Sequence, residues 1–277
     1  MNRSFIAFCI AVVLVSGCSD KKTNMSVQPQ AEEPADAAEN TDSIAEEMED
    51  EAVPVAADEL FDDFFFNFAS NRRLQMERIS FPLTVNSGHK VERMERSQWK
   101  MDQFFIRQDF YTLIFDSEQQ MEAVKDTAVA EATVEKIFLD RDFVRQYLFS
   151  RKTGRWMLYE IRNQTLPRNA NATFLSFYKQ FVADSLFQRE SLAEQIEFSG
   201  PDPDDDFRQI EGVITPDFWE AFCPEFPARM LYNIVYGATG TGSHQKILVL
   251  RCIANGLEVE ITFQLRNGRW KLTKLLT

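Results

Sequence analysis

Few side chains in this sequence could do chemistry. Two His and four Cys in 277 residues are too few for a His-rich or Cys-rich metal site. His89 and His244 each follow turn residues, in Asn86-Ser87-Gly88-His89 and Gly242-Ser243-His244, and neither has a Ser, Cys or carboxylate partner at motif spacing. Both read as loop histidines. Calcium could draw on Asp202, Asp204, Asp205 and Asp206, but the segment lacks the Gly hinge and distal Glu of a calcium loop. A solvated acidic turn, and no metal, is the expectation there. Gly237 to His244 lacks the Gly-Lys-Ser/Thr ending of a phosphate loop and reads as a hairpin loop. Acid–base catalysis would need a carboxylate held in an apolar cavity. Glu77 and Glu190 are the least arbitrary candidates, although a structural duty suits such a matched pair better. No catalytic set and no cofactor emerge.

The remaining thiols are sorted by export. Arg3 and the apolar run Phe5 to Val15 are too short to span about 30 Å of hydrocarbon and read as an export signal. Val15-Ser16-Gly17-Cys18 closes it and resembles the bacterial lipoprotein box, in which small residues enter a peptidase and the Cys takes a diacylglycerol. The resemblance implies lipidation at Cys18 and loss of residues 1–17. Several acyl chains would anchor firmly, at about 0.8 kcal/mol per buried methylene. Cys223 and Cys252 then survive in a compartment that permits disulfides, so they are either bridged or two small buried hydrophobes.

Charge separates the chain into a leader and a body. Residues 19–59 hold thirteen acids and two Lys, whereas residues 60–277 hold thirty acids and twenty-seven Lys or Arg. The near-neutral body argues against nucleic acid, whose phosphates require a basic face. Residues 18–57 lack aromatic residues and sustained apolar periodicity, so they are expected to be a disordered acidic tether.

The body is written twice. Phe61, Phe64, Phe68, Gln75 and Glu77 return as Phe174, Phe177, Phe181, Gln188 and Glu190, and Gly154-Arg155-Trp156 returns as Gly268-Arg269-Trp270. This spacing predicts two domains, residues 58–163 and 172–277, with 164–171 as linker. Each opens with an amphipathic helix, Asp58 and Thr173 being the expected N-caps. Each closes with strands, most clearly at 246–254, 257–266 and 269–276, where Asn255-Gly256 and Asn267-Gly268 supply hairpin turns. Strands are also expected at 110–115, 133–139, 144–151 and 156–162. Short helices are expected at 97–105, at 117–124 and around Phe218, Trp219 and Phe222. The fold class is α+β: two tandem cone-type domains, each an N-terminal helix on a curved antiparallel sheet. Trp156 and Trp270 read as core anchors, with a ligand platform in the cone mouth as the functional alternative.

This pattern resembles the nuclear-transport-factor-2-like, cystatin-like cone fold in tandem, and an uncharacterised family of Gram-negative envelope lipoproteins. The resemblance implies a pocket between helix and sheet, and it covers isomerases, dehydratases and binding subunits alike, so fold alone selects no activity. The expectation is an exported, outer-membrane, lipid-anchored protein that binds an envelope partner or small ligand without catalysis. Two alternatives stay open: an isomerase- or hydrolase-type enzyme using a buried carboxylate in one cone, and a structural spacer.

Overall fold

The computed structural model describes residues 58–202, 205–237 and 242–277. The first half runs α1 (Phe61–Ser70), α2 (Arg72–Glu77), β1 (Ile79–Asn86), β2 (Val91–Met94), β3 (Phe110–Phe115), α3 (Glu118–Met121), β4 (Glu131–Phe138), β5 (Phe143–Lys152) and β6 (Arg155–Thr165). The second runs α4 (Ala172–Ala183), α5 (Ser185–Glu190), β7 (Leu192–Asp202), β8 (Asp205–Ile214), α6 (Trp219–Phe222), β9 (Met230–Tyr236), β10 (Gln245–Cys252), β11 (Glu258–Arg266) and β12 (Arg269–Leu276). Among these residues no helix is long and apolar enough to cross a membrane.

Both halves fold around the same aromatic knot. In α1 the stripe Phe61, Phe64, Phe65 and Phe68 is buried against Phe149 of β5 and Trp156 of β6. Its copy in α4 meets Phe263 and Trp270. The geometry repeats closely: Phe68 meets Phe149 at 5.3 Å and 90°, and Phe181 meets Phe263 at 5.4 Å and 89°. Each such edge-to-face pair adds about 0.5–1.5 kcal/mol beyond area burial.

Neither expected N-cap serves as one. Leu60 precedes α1 without a side-chain cap, and Thr173 lies inside α4 behind Asn171. Asp58 is diverted into a buried ion pair with Arg78, at 2.7 and 2.6 Å. Caps occur instead where each stripe helix ends and restarts. Asn71 Oδ1 accepts from Leu74 N at 2.9 Å, and Asp184 accepts from Leu186 N and Phe187 N.

The three-stranded meanders form, but the Asn255-Gly256 turn expected between β10 and β11 opens into the loop 253–257, where Gly256 and not Asn255 has positive φ. Asn267 and Gly268 have φ of 51° and 75°, and Thr153 and Gly154 have 58° and 79°, both with the positive angles of a type I′ turn. The register slips at Leu148/Phe149 and at Thr262/Phe263, an irregularity at the same repeat position. The sheets are mixed rather than wholly antiparallel, because β1 runs parallel to β6 and β7 parallel to β12. The long excursion through four further strands returns the chain at the same end of the sheet, which makes this pairing parallel.

The third strand of each half is exchanged. One sheet has the order β2-β1-β6-β5-β4-β9 and the other β8-β7-β12-β11-β10-β3. Thus β3 pairs with β10 and β9 with β4, each across the boundary between halves. Where β3 and β9 approach, side chains stand in for a ladder. Thr112 Oγ1 donates to Tyr232 O at 2.6 Å and accepts from Tyr232 N at 2.9 Å, and Asn233 Oδ1 accepts from Ile114 N at 2.9 Å. Buried Glu135 completes this seam, accepting from Gln146, Asn169 and Asn233 at 2.7–2.9 Å. The two halves consequently share one continuous seam.

Candidate functional site

The space between helix and sheet is filled in both halves. Trp156 is fully buried and Trp270 is 7% exposed, so both act as core anchors and neither forms an open platform. The Trp156 indole N–H finds no acceptor, so at this position the apolar packing prevails over the hydrogen bond expected of a buried indole. Arg155 and Arg269 alternate outward and are exposed.

The first half nevertheless contains a polar core. Gln75 Oε1 accepts from Trp99 Nε1 and Asp102 N, both at 3.1 Å, while its amide donates to the carbonyls of Phe68 and Asp102. Gln188 repeats the motif with Trp219 at 3.4 Å. Asp102 also meets Lys136 Nζ at 2.5 Å and accepts from the Tyr147 hydroxyl at 2.6 Å. The ammonium lies 4.7 Å from the Phe104 ring centroid and within 6 Å of Tyr147 and Tyr232. Burial, which lifts the Asp102 carboxyl, is outweighed by Lys136 and these hydrogen bonds, leaving it below the usual carboxylate range. Burial pulls Lys136 down more than Asp102 raises it. This cluster is a satisfied ion pair enclosed by rings.

Space and charge coincide in an open groove of about 880 Å³ beside β7 and β12, lined by Glu194, Glu197, Arg266, Arg269 and Lys271, and in the seam between the halves. The seam cleft, of about 200 Å³, is lined by Asp62, Asp63, Phe65 and Phe66 of α1, by Phe105 and Tyr111, and by Ile234 and Arg251 from the second half. Helix spacing places Asp62 and Phe66 one turn apart on the non-core face. The ring of Phe105 stacks on Tyr111 at 4.2 Å and 11°. Arg251 Nη1 reaches the Tyr111 hydroxyl at 3.1 Å and Asp62 at 3.4 Å, and its Nε reaches Glu258 at 2.6 Å. Asp62 also accepts from the buried Tyr236 hydroxyl. Burial lifts the Asp62 carboxyl despite Tyr236 and Arg251, and Asp63 adds to the rise. A second groove of about 540 Å³ adjoins it through Tyr111, lined by residues 107–112 and 225–230 together with Tyr232.

Other sequence-derived candidates are scattered. Cys223 and Cys252 are free thiols and no bridge joins them. Cys223 follows α6 and turns toward Gln188, and burial pushes its thiol up to about 11. Cys252 is fixed at the end of β10 opposite Phe110. Asp202 ends β7 within 3.8 Å of Arg208. Asp204 and the side chains of Asp205 and Asp206 lie outside the described residues. Among those described, no His, Cys, Asp or Glu cluster is arranged to hold a metal. His89 and His244 are exposed in their loops. Glu77 pairs with Arg73 at 3.1 Å in solvent, and Glu190 is exposed, so neither enters a cavity or meets the Arg of the Gly-Arg-Trp turn. Cys18, the signal and the tether fall outside the described residues.

Sequence reasoning missed Asp62, Tyr111, Tyr236 and Arg251. The one available signal was asymmetry between the copies: Asp62 is matched by Leu175, an acid against a hydrophobe at one helix position.

The fold and the family agree with known proteins. No curated protein matches the chain. The crystal structure of an NTF2-like protein from Bacteroides fragilis matches at 39% identity and a TM-score of 0.73, covering 81% of this chain and 98% of that one. Residues 40–277 match the family described as "Domain of unknown function (DUF4348)", and the chain belongs to that family.

Proposed function

We infer that this chain is an exported bacterial lipoprotein, anchored through Cys18 to the outer membrane of a Gram-negative envelope, that binds a small ligand or a partner's side chain without catalysis. Its binding site is the seam. The observation that carries this reading is the contrast between cones packed with aromatic residues and a cleft, built jointly by both halves, holding a half-buried carboxylate and an exposed ring.

Filled cones would also suit a spacer. A spacer, however, has no need of a half-buried Asp62 whose carboxyl is raised by desolvation, and such groups concentrate at sites that bind or react. The enzyme reading draws on the same raised carboxyl. Asp62 would have to act alone, since the other ionisable groups lining the cleft are Asp63, Tyr111 and Arg251, with Arg251 already shared among three acceptors.

Two measurements test the reading. Labelled fatty acid should enter the wild-type chain and not Cys18→Ser; equal labelling of both would remove the anchor. In a fragment screen followed by ring NMR signals, bound compounds should perturb Phe66, Phe105 and Tyr111. Perturbation confined to Trp156 or Trp270 would return the site to a cone.

A further inference from the structure

The seam cleft is electrostatically one-sided. Its only guanidinium, Arg251, serves Asp62, Glu258 and the Tyr111 hydroxyl at once. Among the described residues no second cation forms an ion pair with Asp62, Asp63 or Glu258. Three carboxylates therefore face one positive charge. Glu260, further along β11, has its carboxyl lifted by burial and by Glu258 and Glu118, against the opposing charges of Lys274 and Arg251. Phe66, 47% exposed, presents its ring at the lip, while Phe105 is buried and stacked on Tyr111, whose ring already has Arg251 5.8 Å from its centroid. A ring face carries negative potential and attracts cations. An anion would meet like charge, and a neutral apolar molecule would remove water from Asp62 without replacing its hydrogen bonds.

At about 200 Å³ the cleft is smaller than the roughly 300–1,000 Å³ of pockets that enclose a whole drug-sized ligand. It suits a head group on a short stem. We propose that the seam cleft binds an alkylammonium group, its stem against Phe66 and Tyr111 and its nitrogen at the Asp62 carboxylate. The proposal rests on reading the seam as the binding site and adds the class of ligand. Asp62 is present in one copy only, since Leu175 occupies the matching position, so each chain holds one such site.

The test is calorimetric titration of the full chain in detergent with n-butylammonium, n-butanol, butyrate and the peptide acetyl-Ala-Lys-Ala-amide. n-Butylammonium should bind at one site per chain, at least tenfold tighter than n-butanol, with no heat from butyrate. Asp62→Asn should weaken it at least tenfold. Phe66→Ala, an exposed position, should weaken it about threefold and keeps the test open if the first variant does not fold. Tighter binding of the peptide would identify a partner's Lys as the source of the ammonium, and tighter binding of the free amine would identify a small molecule. Equal affinity for n-butanol and n-butylammonium, binding unchanged by both variants, or no binding at 10 mM amine would overturn the proposal. Preferential binding of butyrate in the seam would overturn it while leaving the seam as the site.

Discussion

At the scale of single residues, two aspartates in similar polar settings have opposite effects on folding. Asp62 has its carboxyl raised by burial, so the folded chain holds that proton more tightly than the unfolded one. Its contribution to stability is complete below the ordinary aspartate value and is lost as pH rises through the folded value. Asp62→Asn should therefore raise Tm at pH 7–8, with the gain vanishing near pH 3; a lower Tm at pH 7 would refute this account. Asp102 has the reverse sign. Its carboxyl is held down, so its stabilisation exists above the ordinary value and is lost as acid protonates it. Asp102→Asn also strands Lys136, whose side chain is 13% exposed. The cost should be about 3 kcal/mol in urea unfolding at pH 7, the penalty for a charge left without its partner. The two late thiols belong to this scale too. Since Cys223 is protonated at neutral pH and no bridge joins it to Cys252, both should label with iodoacetamide on unfolding without reductant, and Cys223 only slowly before it. Absence of labelling on unfolding would show a disulfide.

At the scale of elements, the repeated turns offer a comparison within one molecule. Asn267 and Thr153 occupy the same turn position at φ near 50–60°, but Thr is β-branched and ill suited to that region. Thr153→Asn copies the second turn into the first and should stabilise by about 1 kcal/mol. Gly268→Ala should cost about 1 kcal/mol through backbone strain alone, because no atom lies within 4 Å of where its Cβ would sit. Chemical denaturation of each variant measures both. The closing meander was legible from these turns: strands expected at 246–254, 257–266 and 269–276 form at 245–252, 258–266 and 269–276. β1 escaped notice because Pro82 interrupts it, and β7 because it buries only four of its eleven residues. Neither shows the alternation that marks a half-buried strand.

At the scale of the whole molecule, the exchange of β3 and β9 makes each half dependent on the other. Residues 58–168 and 169–277 expressed separately should each be unfolded or aggregated, since each sheet would then expose the edge of β4 or β10. Co-expressed, they should assemble into a soluble complex. A folded, monomeric half would contradict the interlock. The seam that results is also where the cleft forms, so binding at Asp62 should weaken whenever that assembly does.

By itself the sequence determined the local and the periodic: the aromatic stripes, the Gly-Arg-Trp turns, the duplication and the α+β class, because side-chain spacing and φ preferences act over a few residues. Tertiary structure alone decided that aromatic rings fill both cones, that third strands cross between halves, and that Asp62 meets Arg251 and Tyr236 from nearly two hundred residues away. Those outcomes depend on which edges and faces remain to be covered once the local elements exist. Long-range closure of that kind leaves no periodic trace in the chain.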